Sequence, residues 1–368
     1  MKTCVRGFVC AVLCLVLCIP CTALDVSASG AILLDAASGR VLWEHNAHEK
    51  RYIASITKMM TALVAMESGH ALDEMVDIRR EYTGAEGSSM YLREGERLSL
   101  ETLMYGLLLA SGNDAALAVA GYCAGSVEAF VAQMNRKAAR LGMKDTKFLN
   151  PSGLTQEGHV STAADMAKLA VACMQDETIA KIVATRSITI GGRTFTNHNK
   201  LLWRYDGCVG MKTGYTERAG RTLISCARRD GRLLVAVTLN APNDWQDHTN
   251  LLDYGFSAYK NTELSRAGTV RAKQPVLGSL VSFVSVEEAA DLSYPLKEGE
   301  QVRREVSLVR WTKAPVTRGQ TAGTVTYYLN DRIIGMCPLV YGDTAPLNVV
   351  AEGSLLRSIR NLFGFKFR

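Results

Sequence analysis

Three short polar motifs follow one another along the chain, and together they hold the groups that acyl transfer needs. They are Ser55-Ile-Thr-Lys58, Ser111-Gly-Asn113 and Lys212-Thr-Gly214. A serine hydroxyl is a weak nucleophile at pH 7 and needs a neighbouring base to remove its proton. A lysine serves as that base when it is neutral. The motifs therefore predict a serine acyl-transfer enzyme that uses no histidine as its base.

In the first motif, Ser55 and Lys58 stand at the predicted start of a helix, three residues apart, so their side chains share one face. Burial and the positive charge of Lys212 are expected to lower the pKa of Lys58. At a helix N-terminus the Ser55 N–H is available to an oxyanion. The alternative is a capping serine beside a solvated lysine. The spacing also occurs at Ser257-Ala-Tyr-Lys260, at the end of a helix, and we interpret that copy as unrelated.

The second motif lies between two apolar helical segments, where Gly112 is expected to allow an unusual backbone conformation. Both polar side chains are then predicted to point into a cleft. Ser111 would transfer a proton between the base and the leaving amine, and Asn113 would hold the substrate or the lysine. The alternative is that Ser111 and Asn113 only cap the adjoining helices.

The third motif is predicted to end a strand that runs from Gly207 to Met211. Lys212 offers a cation and Thr213 a hydroxyl for a substrate carboxylate. Gly214 has no side chain and lets a substrate backbone lie beside the strand. The N–H of Tyr215 is the predicted second donor to the oxyanion.

Other polar residues are weaker candidates. His45 and His48 have a metal-like spacing, but a solvated loop explains them better, and we expect no metal or organic cofactor. Several positions are as well explained by surface or loop roles as by roles at the site: Glu157 as a deacylating base, Arg218 and Arg221 as carboxylate ligands, and the run Asn197-His198-Asn199-Lys200 as part of a cleft.

The N-terminal residues 1–23 have the composition of a secretory signal peptide. A basic start is followed by an apolar stretch from Phe8 to Pro20 and by the small-residue exit Cys21-Thr22-Ala23. The apolar stretch is too short to favour a stable spanning helix. A lipoprotein signal on Cys21 is less favoured, because Pro20 stands where a small residue is expected. We therefore expect an exported protein.

The C-terminal residues 353–368 predict a short cationic amphipathic helix. Apolar residues from Leu355 to Phe363 fall on one helical face, and Lys366 and Arg368 add positive charge beside two phenylalanines. Such a helix suits binding in the plane of an anionic membrane surface. The alternative is a terminal helix that packs on its own protein. We expect no nucleic-acid partner.

The chain has 368 residues, of which 48% are hydrophobic and 21% charged, so it is long enough for two globular domains. Periodicity predicts a hairpin at 30–44, helices and then strands, which is an α+β domain with an antiparallel sheet at residues 25–262. Short alternating runs predict a small all-β domain at 265–345. The predicted elements of the first domain are helices at 55–67, 99–110, 114–138, 162–174 and 245–259, and strands at 186–190, 207–213, 221–229 and 232–239.

Five cysteines remain after residue 23, and they are scattered and odd in number. This distribution does not form a disulfide framework and is typical of small buried thiols. The five are Cys123, Cys173, Cys208, Cys226 and Cys337.

With these motifs and their surroundings, residues 26–345 resemble the low-molecular-weight penicillin-binding proteins, which are serine-type D-Ala-D-Ala carboxypeptidases. The stretches that carry the resemblance are residues 54–63, 106–114, 150–154 and 210–216. Ser-Gly-Asn replaces the Ser-Asp-Asn of the general pattern. The resemblance implies a β-lactamase/transpeptidase-like domain, with its antiparallel sheet flanked by helices, before the all-β domain.

The resemblance also implies a substrate, peptidoglycan stem peptides that end in D-Ala-D-Ala. Ser55 would attack the penultimate carbonyl, Lys58 would take its proton, and Ser111 would protonate the departing D-alanine. Lys212 and Thr213 would hold the terminal carboxylate. β-Lactams would imitate the substrate and acylate Ser55.

Three other activities share the same motifs: a DD-endopeptidase, a β-lactamase, and a penicillin-binding sensor with low turnover. The added β domain and the membrane-seeking tail disfavour the β-lactamase, since a secreted drug-hydrolysing enzyme needs neither. The expected location is outside the cytoplasm, peripheral on the outer face of the cytoplasmic membrane.

Overall fold

A computed structural model describes residues 24–348 of the chain. The predicted signal peptide at 1–23 and the predicted amphipathic helix at 353–368 lie outside the described residues. The described chain forms a sheet flanked by helices and then a set of strands. This is the α+β fold with a following all-β part that the sequence predicts.

Residues 24–258 contain the elements of the first part. The strands are β1 (Gly30–Asp35), β2 (Val41–His45), β3 (Met75–Asp77), β4 (Arg97–Ser99), β5 (Ser187–Ile190), β6 (Arg193–Thr196), β7 (Cys208–Thr216), β8 (Gly220–Arg229) and β9 (Arg232–Leu239). The helices are α1 (Lys58–Met66), α2 (Leu100–Leu108), α3 (Asn113–Ala124), α4 (Val127–Arg140), α5 (Ala163–Gln175), α6 (Glu177–Ala184), α7 (Leu201–Arg204) and α8 (Asp244–Ala258), with 3₁₀ turns at Ala54–Thr57 and Arg80–Tyr82.

The main sheet is antiparallel and joins distant stretches of the chain. β1 and β2 form the predicted hairpin, and β7, β8 and β9 form a meander. β1 pairs with β9, with Gly30 opposite Leu239, so the order across the sheet is β2-β1-β9-β8-β7. β7, which carries Lys212, is therefore an edge strand.

Both faces of this sheet are buried, because successive residues of a strand point to opposite faces. Ile32 and Val237 pack into a large core with residues of α1, α2, α3 and α5. Leu33 and Ala236 pack on the other side against Leu251 of α8. Helices thus pack on both faces of the sheet and position its edge strand.

The single helix predicted from 114 to 138 is wrong. α3 and α4 meet at an angle of 86° across Gly125 and Ser126. Gly125 has a φ of 79°, a left-handed conformation that ends helices and costs glycine little. The Ser126 hydroxyl accepts a hydrogen bond from the N–H of Ala129 and caps α4. Apolar spacing continues through both helices, which is why periodicity alone did not reveal the break.

The other predicted helices and strands of the first part are present with small shifts in their ends, whereas α6, α7 and the strands β3, β4 and β6 were not predicted. None of the described helices is both long and apolar enough to cross a membrane by itself; α3 and α4 meet that test only when taken together, across their bend. The five cysteines that follow residue 23 are free thiols, as predicted.

The second part is all β. A six-stranded sheet has the order β14-β16-β17-β12-β11-β15, and β10 pairs with β13. Its core includes Val286, Val325 and Leu339. The strands are β10 (Tyr259–Ser265), β11 (Val270–Leu277), β12 (Phe283–Glu288), β13 (Leu292–Lys297), β14 (Arg303–Leu308), β15 (Thr312–Lys313), β16 (Thr321–Leu329) and β17 (Arg332–Tyr341).

Arg40, in the turn between β1 and β2, joins the two parts. Its guanidinium pairs with Glu300 at 2.5 Å and lies 4.9 Å from the ring centre of Tyr259. Hydrogen bonding to Arg40 lowers the pKa of the Glu300 carboxyl. β10 follows α8 directly and runs through the predicted limits at 262 and 265; those limits stay a prediction.

Candidate active site

Ser55 lies in the 3₁₀ turn that leads into α1. The residue before it, Ala54, has a φ of 50°, a left-handed conformation that is uncommon for a residue with a side chain. The hydroxyl of Thr222, on β8, donates to the carbonyl of Ile53 at 3.0 Å. This bond ties the turn to the sheet, so Ser55 is held beside the edge strand.

Lys58 is buried in the first turn of α1 and has three hydrogen-bond acceptors. Its Nζ donates to Ser55 Oγ at 2.9 Å, to Asn113 Oδ1 at 2.7 Å and to the carbonyl of Ser152 at 2.7 Å. Burial lowers the pKa of Lys58 well below its usual value, and the charge of Lys212 lowers it further. All three acceptors are neutral, and the charge of Asp114 opposes the lowering only in part.

In the second motif, the side chains of Ser111 and Asn113 lie next to different groups. Asn113 accepts from Lys58 and donates through Nδ2 to the carbonyl of Glu86 at 2.5 Å. Ser111 lines the cleft that contains Ser55. No side chain caps the start of α3, so the alternative in which this motif only caps helices is not what the structure contains.

The unusual backbone conformation at this motif belongs to Ser111 and not, as predicted, to Gly112. Ser111 has a φ of 61°, whereas Gly112 has a φ of −58°. Position 112 has no room for a side chain, because a Cβ there would lie 2.8 Å from Asp114 Oδ1 and 3.3 Å from the backbone nitrogen of Met90. A glycine therefore fits this position. Asp114 accepts hydrogen bonds from the N–H groups of Met90 and Leu92, at 3.0 Å each. These bonds hold residues 90–92 against the motif.

The third motif lies inside β7, which continues to Thr216 and so passes both ends predicted for this strand, Met211 and 213. β7 pairs with β8 as far as Thr216, which stands opposite Gly220. At Gly214 a Cβ would lie 2.9 Å from the backbone nitrogen of Ser55 and 3.1 Å from that of Ile56. The missing side chain thus allows the edge strand to lie directly against the segment that carries the serine.

Lys212 is buried, and its Nζ donates to the carbonyl of Thr213 at 3.0 Å. Burial lowers its pKa to about 7, and no carboxylate among the described residues opposes that effect. Burial and the charge of Lys212 together lower the pKa of His198. A buried cation without a counter-ion is costly unless a ligand supplies the negative charge, which makes this a candidate anion site.

One cleft of about 320 Å³ opens over these motifs. Five of the predicted residues line it: Ser55, Ser111, Thr213, Gly214 and Tyr215. The other three, Lys58, Asn113 and Lys212, are buried directly next to them. The lining is completed by Ser88, His198, Lys200, Arg221, Asp244 and Trp245. His198 and Lys200 belong to the run that the sequence left undecided between cleft and loop.

Among the charged residues that the sequence left undecided, Arg221 reaches the cleft. It stands opposite Tyr215 across the β7–β8 pair and binds the buried carboxylate of Asp244 at 2.9 Å. Arg218 and Glu157 are exposed and do not line the cleft. The structure therefore separates two arginines that stand three positions apart in the sequence.

The loop at 150–153, which belongs to one of the stretches that carry the family resemblance, lies behind Lys58. Its Ser152 carbonyl accepts from Lys58, and its Pro151 carbonyl accepts from the hydroxyl of Thr61 at 2.6 Å. Gly153, with a φ of 85°, has no room for a Cβ, which would strike the carbonyl of Ala54. The loop is therefore docked on the segment that carries both Ser55 and Lys58.

His159 supports the same segment and was missed, because a single histidine in a loop carries no sequence signal. Its Nδ1 accepts from the N–H of Leu149 at 3.1 Å, so Nε2 carries the proton and donates to Thr57 Oγ1 at 2.9 Å. Burial lowers the pKa of His159 to about 4. The ring is neutral at pH 7, as this pair of bonds requires.

A family model described as D-alanyl-D-alanine carboxypeptidase matches residues 19–243, more than half of the chain. The chain belongs to this family of serine peptidases. A second model, described as the C-terminal domain of penicillin-binding protein 5, matches residues 259–346 of the carboxypeptidase, where the all-β part lies.

Curated relatives of this carboxypeptidase match most of its length. The D-alanyl-D-alanine carboxypeptidase DacF of Bacillus subtilis is 33% identical over 330 residues, which cover 85% of this chain and 84% of DacF. DacC of Escherichia coli is 34% identical, and the match covers 93% of this chain and 89% of DacC. These matches confirm the family that the motifs suggested.

Solved structures support the fold in both parts of the carboxypeptidase. Penicillin binding protein 5 from Haemophilus influenzae has a TM-score of 0.74 at 29% identity, covering 88% of this chain and 98% of that one. The peptidoglycan synthesis regulatory factor PBP3 from Streptococcus pneumoniae has a TM-score of 0.76 at 25% identity, covering 87% of this chain and 100% of that one. The α+β part and the all-β part are therefore those of a low-molecular-weight penicillin-binding protein.

Proposed function

We propose that this enzyme removes the terminal D-alanine from peptidoglycan stem peptides ending in D-Ala-D-Ala, through an acyl-enzyme on Ser55. The observation that carries the proposal is the 2.9 Å hydrogen bond between Lys58 Nζ and Ser55 Oγ, in surroundings that lower the lysine pKa. This pair supplies a nucleophile and its base at one point of the cleft.

In the acylation step, neutral Lys58 takes the hydroxyl proton while Ser55 Oγ attacks the carbonyl carbon of the penultimate D-alanine. Negative charge develops on the carbonyl oxygen, and the N–H groups of Ser55 and Tyr215 are the proposed donors to it. The approach of Gly214 to the Ser55 nitrogen supports this pairing, since it sets the two segments side by side.

The tetrahedral intermediate collapses when its C–N bond breaks and the departing amine receives a proton. Ser111 lines the cleft with Ser55, and its hydroxyl relays the proton from Lys58 to that amine. Lys58 is neutral again, and water then hydrolyses the ester and restores Ser55. A β-lactam acylates Ser55 in the same way, but its amine stays attached through the opened ring.

The terminal carboxylate of the substrate is the proposed anion for the buried cation of the cleft. Lys212 supplies the charge and Thr213 a hydroxyl, and Gly214 lets the peptide backbone lie along the edge of β7. The lack of a carboxylate partner for Lys212 among the described residues supports this assignment, because the substrate would complete the pair.

We also propose the cellular placement of the enzyme. Its family acts on peptidoglycan, so the mature protein acts outside the cytoplasm after removal of residues 1–23. Residues 353–368 hold it on the outer face of the cytoplasmic membrane as a cationic amphipathic helix. The limits of the two domains, 25–262 and 265–345, complete the proposed organisation.

The test of the activity is release of D-alanine from a diacetylated tripeptide that ends in D-Ala-D-Ala. Rapid release by the wild-type enzyme, with loss of both release and penicillin labelling in Ser55→Ala, is the expected result. Labelling that persists in Ser55→Ala would remove Ser55 from its role. Labelling of the wild type without release would identify a low-turnover sensor instead, and faster turnover of a β-lactam than of the peptide would identify a β-lactamase.

The test of the membrane placement is deletion of residues 353–368 from the exported enzyme. The truncated protein is expected in the soluble fraction with its D-alanine release preserved. Unchanged partitioning into the membrane fraction would contradict the proposed anchor.

A further inference from the structure

Exposed apolar side chains cover one end of the six-stranded sheet, where the described chain ends. Three segments form this surface, residues 277–283, 309–313 and 346–348, and we call it the apolar end patch. Monomeric proteins rarely expose large contiguous apolar surfaces without a partner for them. The large side chains of the patch, with their exposed fractions, are Leu277 (49%), Leu280 (83%), Phe283 (57%), Val309 (62%), Trp311 (49%) and Leu347 (51%).

Hydrogen bonds between backbone groups, and one to the Asn348 side chain, hold the three segments together as one surface. β15 pairs with the end of β11, with Lys313 opposite Leu277. The N–H of Leu280 donates to Asn348 Oδ1 at 2.9 Å, and the N–H of Asn348 donates to the carbonyl of Gly278 at 2.9 Å. The apolar side chains are therefore presented by an ordered scaffold.

The charge of the patch is entirely positive. The three segments contain Arg310 and Lys313 but no aspartate or glutamate. Neither cation has an ion-pair partner within residues 24–348, and Lys313 Nζ lies 6.0 Å from the ring centre of Trp311. An aromatic and apolar surface with basic residues and no acids is the composition of membrane-surface segments. Anionic headgroups attract such residues, whereas the aromatic ring suits the interfacial region.

We propose that the apolar end patch is a second membrane-contact surface of this enzyme, which inserts Leu280, Phe283 and Trp311 into the interface of an anionic bilayer. Arg310 and Lys313 then meet the lipid headgroups. The inference rests on the membrane placement proposed above for residues 353–368.

The short link between the apolar end patch and residues 353–368 points to the bilayer as the partner of the patch. The described chain leaves the patch at Asn348, and the predicted amphipathic helix begins at 353. Residues 349–352 can span at most about 18 Å between those two points. A helix that lies in the membrane surface thus keeps the patch close to the same surface. Two linked contacts bind more tightly than either one, because the second forms within a membrane-bound molecule.

Tryptophan quenching by brominated lipid tests the contact in the full-length mature protein. Vesicles of phosphatidylcholine and phosphatidylglycerol, with and without bromine in their acyl chains, are compared for the wild type and Trp311→Phe. We expect bromine to quench the wild-type fluorescence and to have little effect on Trp311→Phe, which keeps the other three tryptophans. Equal quenching of the two proteins would overturn the proposal, and so would bound wild type without quenching, the result expected if residues 349–368 cover the patch instead.

A pair of matched substitutions measures the contribution of the patch to binding. Leu280→Asp is expected to weaken partitioning onto the anionic vesicles by about tenfold or more, as loss of one inserted side chain predicts. Ile333→Asp is the control, since Ile333 is 59% exposed at the far end of β17, next to its turn with β16. Equal partitioning of the two variants would overturn the proposal.

Release of D-alanine from the soluble tripeptide shows whether each protein used in the vesicle assay is folded and active. Both variants are expected to retain it, because neither residue lines the cleft. A wild type that releases D-alanine but binds no vesicles overturns the membrane placement together with the patch. A wild type that binds vesicles while Leu280→Asp binds equally well overturns the patch alone.

Discussion

Lys58 Nζ lies 2.9 Å from Ser55 Oγ, on the inner side of the serine, while Ser55 itself borders the cleft. The proposed nucleophile is therefore accessible to substrate, whereas the proposed base is shielded. Burial keeps water away from the lysine and lowers its pKa, and the amide oxygen of Asn113 at 2.7 Å restrains its position. This arrangement supports the proposal that Lys58 serves as the base, in the place that a histidine takes in other serine peptidases.

Substitution of Lys58 tests its role as the base. Lys58→Met keeps the length and apolar stem of the side chain but removes the nitrogen, so acylation by penicillin is expected to slow by about a hundredfold or more. Lys58→Arg is expected to be as slow, because a guanidinium stays protonated. The control is Lys260→Met in the unrelated Ser-x-x-Lys copy. A fast Lys58→Arg enzyme would contradict the assignment of Lys58.

The pH profile of kcat/KM is expected to be bell-shaped, with two lysines in opposite protonation states. Activity is expected to rise with pH as Lys58 loses its proton, and to fall above a pKa of about 7 as Lys212 loses the charge that is proposed to bind the substrate carboxylate. Lys212→Arg keeps that charge, so the falling limb should move to higher pH even if the rate drops. A falling limb that is unchanged in Lys212→Arg would show that another group produces it.

Two neighbouring arginines are expected to differ in their effects on substrate binding. Arg221 lines the cleft and Arg218 does not. Arg221→Gln should raise the KM for a peptide with a free terminal carboxylate about fivefold or more, as loss of a charge-assisted hydrogen bond predicts, whereas Arg218→Gln should not. Because Arg221→Gln leaves the buried Asp244 without its partner, the double variant with Asp244→Asn is needed. If the double variant recovers the wild-type KM, Arg221 acts only by neutralising Asp244.

Gly214→Ala tests the close approach of β7 to Ser55. The new Cβ would lie 2.9 Å from the Ser55 nitrogen and 2.5 Å from Thr222 Oγ1, so both acylation and the free energy of unfolding should fall. Thr222→Ala is the reference variant, because it removes the Thr222 hydroxyl and its bond to the Ile53 carbonyl without adding a Cβ near Ser55. In that background Gly214→Ala keeps only the clash with the Ser55 nitrogen, and it is expected to slow acylation further, as measured by penicillin labelling. Equal acylation by Thr222→Ala and the double variant would contradict a specific role for the contact with Ser55.

Two buried histidines predict a loss of stability in mild acid. Burial lowers the pKa of His159 to about 4 and that of His248 to about 3, so below pH 6.5 the unfolded chain binds protons that the folded protein excludes. Stability is complete above pH 6.5 and is lost as the pH falls towards 4. Between pH 7 and pH 5 the loss is about 2 kcal/mol for each histidine. In urea unfolding, His159→Gln should lose about 2 kcal/mol less than the wild type over this interval; an equal loss would argue against a buried neutral His159.

The sequence by itself determined the family, the two-part fold and the candidate groups of the site. Ser55, Ser111 and Lys212 each carry chemistry in a short local motif, and the order of the motifs along the chain is typical of one family. Periodicity located most helices and strands because the burial of alternating or helical faces is a local property. Periodicity did not predict the end of α3 at Gly125, because the helical spacing of apolar residues continues from α3 into α4 although the chain changes direction there.

The tertiary structure alone decided which groups meet. That Gly214 touches the Ser55 segment, that Ser111 and not Gly112 takes the left-handed conformation, and that His159 supports Thr57 all depend on packing between distant elements. Arg218 and Arg221 look equivalent in the sequence. The register of β8 against β7 places Arg221 opposite Tyr215, and only Arg221 of the two lines the cleft. Register, docking and the shielding of Lys58 from water come from contacts distant along the chain, which a local pattern of residues does not specify.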